Sequence, residues 1–131
     1  MSGSADAITL TDMRDHTRLR AFELADQLAL AVYRATQSFP REEQFGLTSQ
    51  MRRCAVSVAS NIVEGCARRS ESDYLRFLDI AHGSVRELEY QISLAIRLKF
   101  MPAAVGDEIT QAVTETAKVL DGLIRALRQQ Q

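Results

Sequence analysis

The chain has 131 residues, of which 46% are hydrophobic and 25% charged, and its formal net charge is −1. These values are typical of one globular domain, which we place at residues 17–131 behind a flexible N-terminal arm at 1–16, and they exclude a disordered chain. Aromatic residues make up only 6% and tryptophan is absent, which excludes an aromatic platform for stacking bases, and the net charge gives no overall positive field.

The sequence also indicates the compartment. Its first twenty residues carry acids and arginines where a secretory signal would have an apolar core. No uncharged stretch approaches the roughly 20 residues of a membrane span. Cys54 and Cys66 would lie about 18 Å apart on one helix, too far for a disulfide. We therefore expect a cytoplasmic protein with two buried free thiols and no membrane contact.

Hydrophobic residues recur with helical spacing in four segments, and none shows sustained strand alternation. The segments cover about residues 17–38, 46–67, 71–99 and 102–128, with Pro40 and Pro102 in the connections. Ser70 is placed to cap the third helix, with Asp73 three positions later. Four amphipathic helices with short connections predict an all-α fold, an antiparallel up-down four-helix bundle.

The second helix is apolar on two sides. Met51 and Ile62 belong to a stripe typical of a core face, whereas Val56, Ala59 and Val63 lie on the opposite side. A bundle core covers one face of each helix, so the second face favours contact with another subunit in a ring-like homo-oligomer. The alternative is an irregular bundle in which this helix is deeply buried. The predicted core face of the first helix consists of Phe22, Ala25, Ala29, Val32, Tyr33 and Thr36. This helix also has a weaker second apolar set, formed by Leu24, Leu28, Ala31 and Ala35.

Polar stripes on the second and third helices border the apolar faces. They consist of Ser57, Asn61 and Glu64, and of Ser84, Glu87 and Gln91. Buried polar groups need partners, so we predict a network between the two helices that fixes helix register or subunit orientation. Arg68 or serine hydroxyls would satisfy Glu64, and Gly65 closes the helix or admits a close backbone approach. The alternatives are two hydrated stripes without a role, or a ligand or catalytic site.

Motifs with catalytic potential are scarce. The sequence closest to the Glu-x-x-His motif of di-iron bundles is Asp79-x-x-His82, which occurs once and projects away from the apolar stripe. The chain lacks a phosphate-binding loop, a nucleophile elbow and zinc-ligand spacing. We therefore predict no catalytic residue, no metal site and no cofactor, with a metal-dependent bundle enzyme as the remote alternative.

Several short motifs together carry a family resemblance. They are Phe39-Pro40, Phe45-Gly46-Leu47, Gln50-Met51-Arg52-Arg53, Ser57 with Asn61-Ile62-Val63-Glu64-Gly65, and Phe77-Leu78-Asp79-Ile80-Ala81-His82-Gly83-Ser84 with Glu87-Leu88-Glu89. In this combination, over about residues 19–100, the chain resembles the bacterial four-helix-bundle proteins linked to 23S ribosomal RNA intervening sequences, once called S23 ribosomal proteins. It is also similar to the accessory variability determinant proteins of diversity-generating retroelements.

The resemblance implies a homopentamer of up-down bundles around a central channel, with no established enzymatic activity. It places the signature residues of the family at Asn61, Glu64, Gly65, Ser84 and Glu87. The retroelement relatives are basic and bind nucleic acid and a reverse transcriptase. This chain departs from them with its net charge of −1.

The sequence predicts two possible functions in addition to the remote alternative of a metal-dependent enzyme. The first is a non-enzymatic homo-oligomeric adaptor or scaffold that presents a surface to a protein or ribonucleoprotein partner. The second is an RNA-binding accessory protein, because Arg52 and Arg53 lie near one end of the second helix and Arg68 and Arg69 near the other, and each pair would recur as a ring in a pentamer. The expected partners are further copies of the chain and RNA or a nucleic-acid-processing protein.

Overall fold

The computed structural model describes residues 14–130, and within that range the chain forms four α-helices and no strand. The helices are α1 (Arg20–Thr36), α2 (Leu47–Cys66), α3 (Glu71–Arg97) and α4 (Ala103–Gln129). Short 3₁₀ helices occupy His16–Arg18 and Arg41–Glu43. The predicted all-α, four-helix fold is confirmed. Most of the predicted arm, residues 1–13, lies outside the described residues. None of the helices within 14–130 has the length and apolar character needed to cross a membrane.

Local chemistry sets the helix ends. The Asp15 carboxylate accepts the Thr17 N–H at 3.1 Å and caps the first 3₁₀ turn, so α1 begins at Arg20 rather than near residue 17. Ser70 caps α3 as predicted, because its hydroxyl accepts the Asp73 N–H at 3.1 Å. Just after α3, Lys99 adopts a left-handed φ of 61°, which turns the chain toward α4.

Each helix packs against two others, in the cyclic order α1, α2, α3, α4. Arg52 of α2 donates to Thr36 at the end of α1, and Cys66 at the end of α2 contacts Tyr74 at the start of α3. The last turn of α4 contacts the N-terminal half of α3 through Arg128. Each of these contacts pairs the N-terminal half of one helix with the C-terminal half of its neighbour.

The core contains side chains from all four helices, and the predicted core face of α2 is fully buried. The largest fully buried side chains are Leu28, Val32, Met51, Val58, Ile62, Tyr74, Leu78, Val85, Leu88, Ile92, Leu120 and Leu127. On α1 the predicted core face was partly wrong, because Leu28 is 1% exposed whereas Tyr33 is 44% exposed. Alanines make both sides of α1 apolar, so periodicity alone does not decide which side faces the core.

Candidate interaction site

A short hydrogen-bonded seam joins α2 to α3 midway along the molecule. The hydroxyls of Ser57 and Ser84 are 2.9 Å apart. Asn61 Nδ2 donates to Ser57 Oγ at 3.0 Å and to Ser57 O at 2.8 Å. These three half-buried side chains form what we call the polar seam. A serine pair that joins one turn of α2 to one turn of α3 opposes sliding of the helices, because a slip would leave polar groups unpaired.

The other polar side chains predicted for this network lie elsewhere. Glu64 is exposed and forms an ion pair with Arg68 one turn later, and Glu87 is also exposed. Gln91 is only 5% exposed, and its Oε1 accepts no hydrogen bond from the residues between 14 and 130. A buried unsatisfied carbonyl costs about 1–3 kcal/mol. The network is therefore shorter than the two stripes, and both glutamates lie on the surface.

A buried thiol lies beside the polar seam. Cys54 Sγ donates to Ser84 O at 3.0 Å. Burial, with a smaller contribution from the negative charge of Glu87, raises the pKa of the Cys54 thiol to about 11. The group is therefore a neutral thiol at neutral pH and lacks the thiolate character of a nucleophile or metal ligand. Both cysteines are free.

Gly65 lies in the last turn of α2, close to the side chains and backbone of α3. A Cβ at this position would lie 3.0 Å from Tyr74 Cδ1 and 3.2 Å from both Tyr74 O and Phe77 Cβ. Since α2 continues to Cys66, the glycine admits a close backbone approach rather than closing the helix. Tyr74 is fully buried, its ring centroid lies 5.2 Å from the Arg14 guanidinium, and burial raises the pKa of its hydroxyl.

The four arginines predicted to contact nucleic acid differ in their environments. Arg52 is half-buried, with its guanidinium 4.7 Å from the centroid of the Tyr33 ring. Arg68 forms the ion pair described above. Arg53 and Arg69 are exposed, and neither side chain forms an ion pair with a residue of the described range. Only these last two therefore carry a charge without an acidic partner on the open surface of α2 and its end.

The second apolar face of α2 is left uncovered by the described chain. Val56 is 43% exposed, and Ala59 and Val63 are half-buried. These residues follow Arg52 by four, seven and eleven positions and so lie on one side of the helix. We call Arg52, Val56, Ala59 and Val63 the α2 ridge. The deep-burial alternative does not fit this exposure, and Tyr33 extends the apolar surface onto α1.

A groove between α1 and α4, not predicted from the sequence, is the second open apolar surface. Its volume is about 670 Å³. It is lined by Leu24, Gln27, Leu28, Ala31, Arg34, Ala35, Ser38, Pro102, Val105, Glu108, Ile109, Ala112 and Glu115. The signal in the sequence is the second apolar set of the first helix, because all four of its members line the groove. We call this surface the α1–α4 groove.

The acidic residue of the nearest metal-site motif, Asp79, has a structural partner. The two Asp79 carboxylate oxygens lie 2.9 and 3.1 Å from Arg128 Nη2, so this pair ties α3 to the last turn of α4. Within residues 14–130, no group of three or more histidine, cysteine and acidic side chains is close enough to hold a metal ion.

The fold and the site define the class: residues 14–130 form an all-α, four-helix structure with a polar seam between two helices and two open apolar surfaces. Residues 17–122 match the family of 23S rRNA-intervening sequence proteins, and the chain therefore belongs to that family. This confirms the family resemblance drawn from the motifs. The similarity to the retroelement proteins stays a prediction.

One solved structure supports the fold independently. A protein of unknown function from Bacteroides thetaiotaomicron VPI-5482, assigned to the S23 ribosomal protein family, superimposes with a TM-score of 0.71. The alignment covers 79% of this chain and 97% of that one, with 24% identity. At this identity the likeness shows the fold alone. No curated protein matches the chain.

Proposed function

We propose that the protein is a non-enzymatic adaptor or scaffold that works as a ring-like homo-oligomer, with five copies as the number that the family resemblance implies. Each copy is an antiparallel up-down bundle in the cytoplasm. The ring presents a surface to a protein or ribonucleoprotein partner. The observation that carries the proposal is the α2 ridge, on which Val56 is exposed and Ala59 and Val63 are half-buried.

The composition of the ridge supports assembly. Val56 and Val63 place β-branched apolar side chains on a helix face that residues 14–130 leave open, and such contiguous patches mark interaction sites. Ala59 between them permits another helix to approach to the roughly 8–10 Å typical of packed helices. The free thiols of Cys54 and Cys66 are consistent with a reducing compartment.

The oligomeric state is the direct test of the proposal. Multi-angle light scattering of the unmodified protein is expected to give about five times the chain mass of 14.6 kDa. The measured mass should stay constant on dilution through the micromolar range. In a closed ring every copy makes two contacts, so the loss of one copy would break two interfaces. A mass of one chain at all concentrations would contradict the proposal.

RNA binding is the second candidate, favoured by the unpaired charges of Arg53 and Arg69. One such pair on a mixed surface binds phosphate weakly. In a ring each arginine would recur at one level, and the repeated charge would bind an RNA backbone with an affinity that depends on salt.

A gel-shift assay with a structured RNA hairpin tests this candidate. The Arg53→Gln/Arg69→Gln double variant is expected to lose binding, and the unmodified protein to weaken steeply between about 50 and 200 mM salt. The matched control is Arg86→Gln/Arg125→Gln, which removes the same charge from arginines already paired with acids at 3.1 and 3.3 Å. Equal losses in both double variants would indicate a net-charge effect and reject a specific role for Arg53 and Arg69.

A further inference from the structure

We infer that the ring is built head to tail, with the α2 ridge of one copy docked into the α1–α4 groove of the next copy. This inference rests on the proposed function and names the two surfaces that meet. The occupant of the groove is a second copy of this chain.

The two surfaces have complementary shapes. The ridge is a convex line of small and medium apolar side chains, and the groove is an apolar concavity of about 670 Å³ between two helices. Ala31 and Ala112 on opposite walls keep the groove open to the backbone of an incoming helix. A stable interface buries about 800 Å² on each partner. The ridge alone is smaller, and Tyr33 beside it extends the contact surface.

The charges on the two surfaces are also complementary. Arg52 on the ridge is half-buried, and its donors reach a hydroxyl and a carbonyl of α1, at 2.8 and 3.3 Å, but no carboxylate of residues 14–130. Glu108 and Glu115 on the α4 rim of the groove are exposed and form no ion pair in the same range. Arg34 on the α1 rim is also a cation, so the acidic wall is the one contributed by α4.

The complementary residues lie at the same level along the molecule. Arg52 and Glu108 each follow the first residue of their helix by five positions, and Val56 and Ala112 each do so by nine. Both helices start at the end of the molecule where α1 finishes, as the Arg52 contact with Thr36 and the neighbouring Ser38 and Pro102 in the groove indicate. Arg52 and Glu108 each lie about 8 Å along the helix axis from the first residue of their helix. Rotation about an axis parallel to the helices does not change this height, so the two residues of neighbouring copies would lie at the same height in the ring.

The placement of the two surfaces favours a closed ring. The ridge lies on the side of the bundle shared by α1 and α2, and the groove on the adjacent side shared by α1 and α4. Adjacent sides of a four-helix bundle face directions roughly at right angles. Head-to-tail contacts close into a ring when the two contact surfaces of each copy face directions separated by the interior angle of the ring. This angle is about 90° for four copies and about 108° for five. In such a ring α1 faces the central channel.

A mixing experiment distinguishes this interface from any other. The ridge variant Val56→Glu keeps an intact groove, and the groove variant Glu108→Arg/Ala112→Arg keeps an intact ridge. Each alone is expected to have the mass of one chain, 14.6 kDa, by light scattering. An equimolar mixture is expected to double that mass, because one groove and one ridge remain available to pair. Asp107→Arg, an exposed charge change one residue away that does not line the groove, should leave the ring intact.

A charge exchange covers the case in which the double groove variant fails to fold. Glu108→Arg alone changes an exposed side chain and should lower the oligomer mass, and adding Arg52→Glu to the same chain should restore it. If the unmodified protein is oligomeric but the mixture stays at one-chain mass or Asp107→Arg disrupts equally, the head-to-tail interface is wrong and the adaptor proposal stands. If the unmodified protein has the mass of one chain, both are wrong.

Discussion

Replacing Gly65 with alanine is expected to lower the free energy of unfolding by about 2 kcal/mol. The added Cβ would lie 3.0 Å from the ring of Tyr74 and 3.2 Å from its carbonyl oxygen. The ring is fully buried and the carbonyl belongs to the backbone of α3, so neither yields without moving the two helices apart. Overpacking of this kind costs about 1–3 kcal/mol. Because the neighbouring atoms are rigid, we expect an overpacking cost near ~3 kcal/mol, the upper end of this range. The better helix propensity of alanine offsets about 1 kcal/mol of this cost.

Gly83 supplies the matched control. It lies inside α3, is exposed, and a Cβ there would meet no atom within 4 Å. Gly83→Ala should therefore raise the free energy of unfolding by about 0.5–1 kcal/mol through helix propensity alone. Chemical denaturation at one fixed protein concentration measures both variants, since assembly adds to apparent stability. A Gly65→Ala variant as stable as the unmodified chain would show that α2 and α3 have room to separate.

Most of the fold can be predicted from interactions between residues close together in the sequence. The helical period, the prolines and the Ser70 cap depend on neighbouring residues only, so they are legible in the sequence. The rotation of a helix about its own axis depends on what packs against it. On α1 both sides are apolar, and which of Tyr33 and Leu28 is buried is decided by α2 and α4, the two helices that pack against α1.

The candidate site likewise contains some features that the sequence predicts and others that depend on the packing of the helices. Spacing alone identifies Ser57 and Ser84 as members of facing stripes, and the structure joins them. Spacing does not distinguish Glu64, which pairs with Arg68 one turn later, or Gln91, which is buried and whose carbonyl oxygen accepts no hydrogen bond within residues 14–130. The α1–α4 groove exists only where two helices meet, so no single segment of the sequence defines it.

Val56→Glu is expected to reduce the mass of the oligomer from about five chains to one while the helical circular dichroism is retained. The side chain is 43% exposed in the single chain, so a glutamate at this position remains hydrated and the bundle folds. In the assembly the same position would be buried against a neighbouring copy. Burying an unpaired carboxylate costs several kcal/mol per interface, and in a ring that cost recurs at every contact.

The control for this variant is Ile80→Glu. Ile80 is 42% exposed, is also β-branched and lies on a helix, but it is on α3, away from both the ridge and the groove. The two substitutions thus introduce the same charge at equally exposed apolar positions, and only their place on the molecule differs. Light scattering should show a single chain for Val56→Glu and the unmodified mass for Ile80→Glu. The reverse result would move the subunit contact to α3 and leave the exposed valine of α2 facing solvent or a different partner.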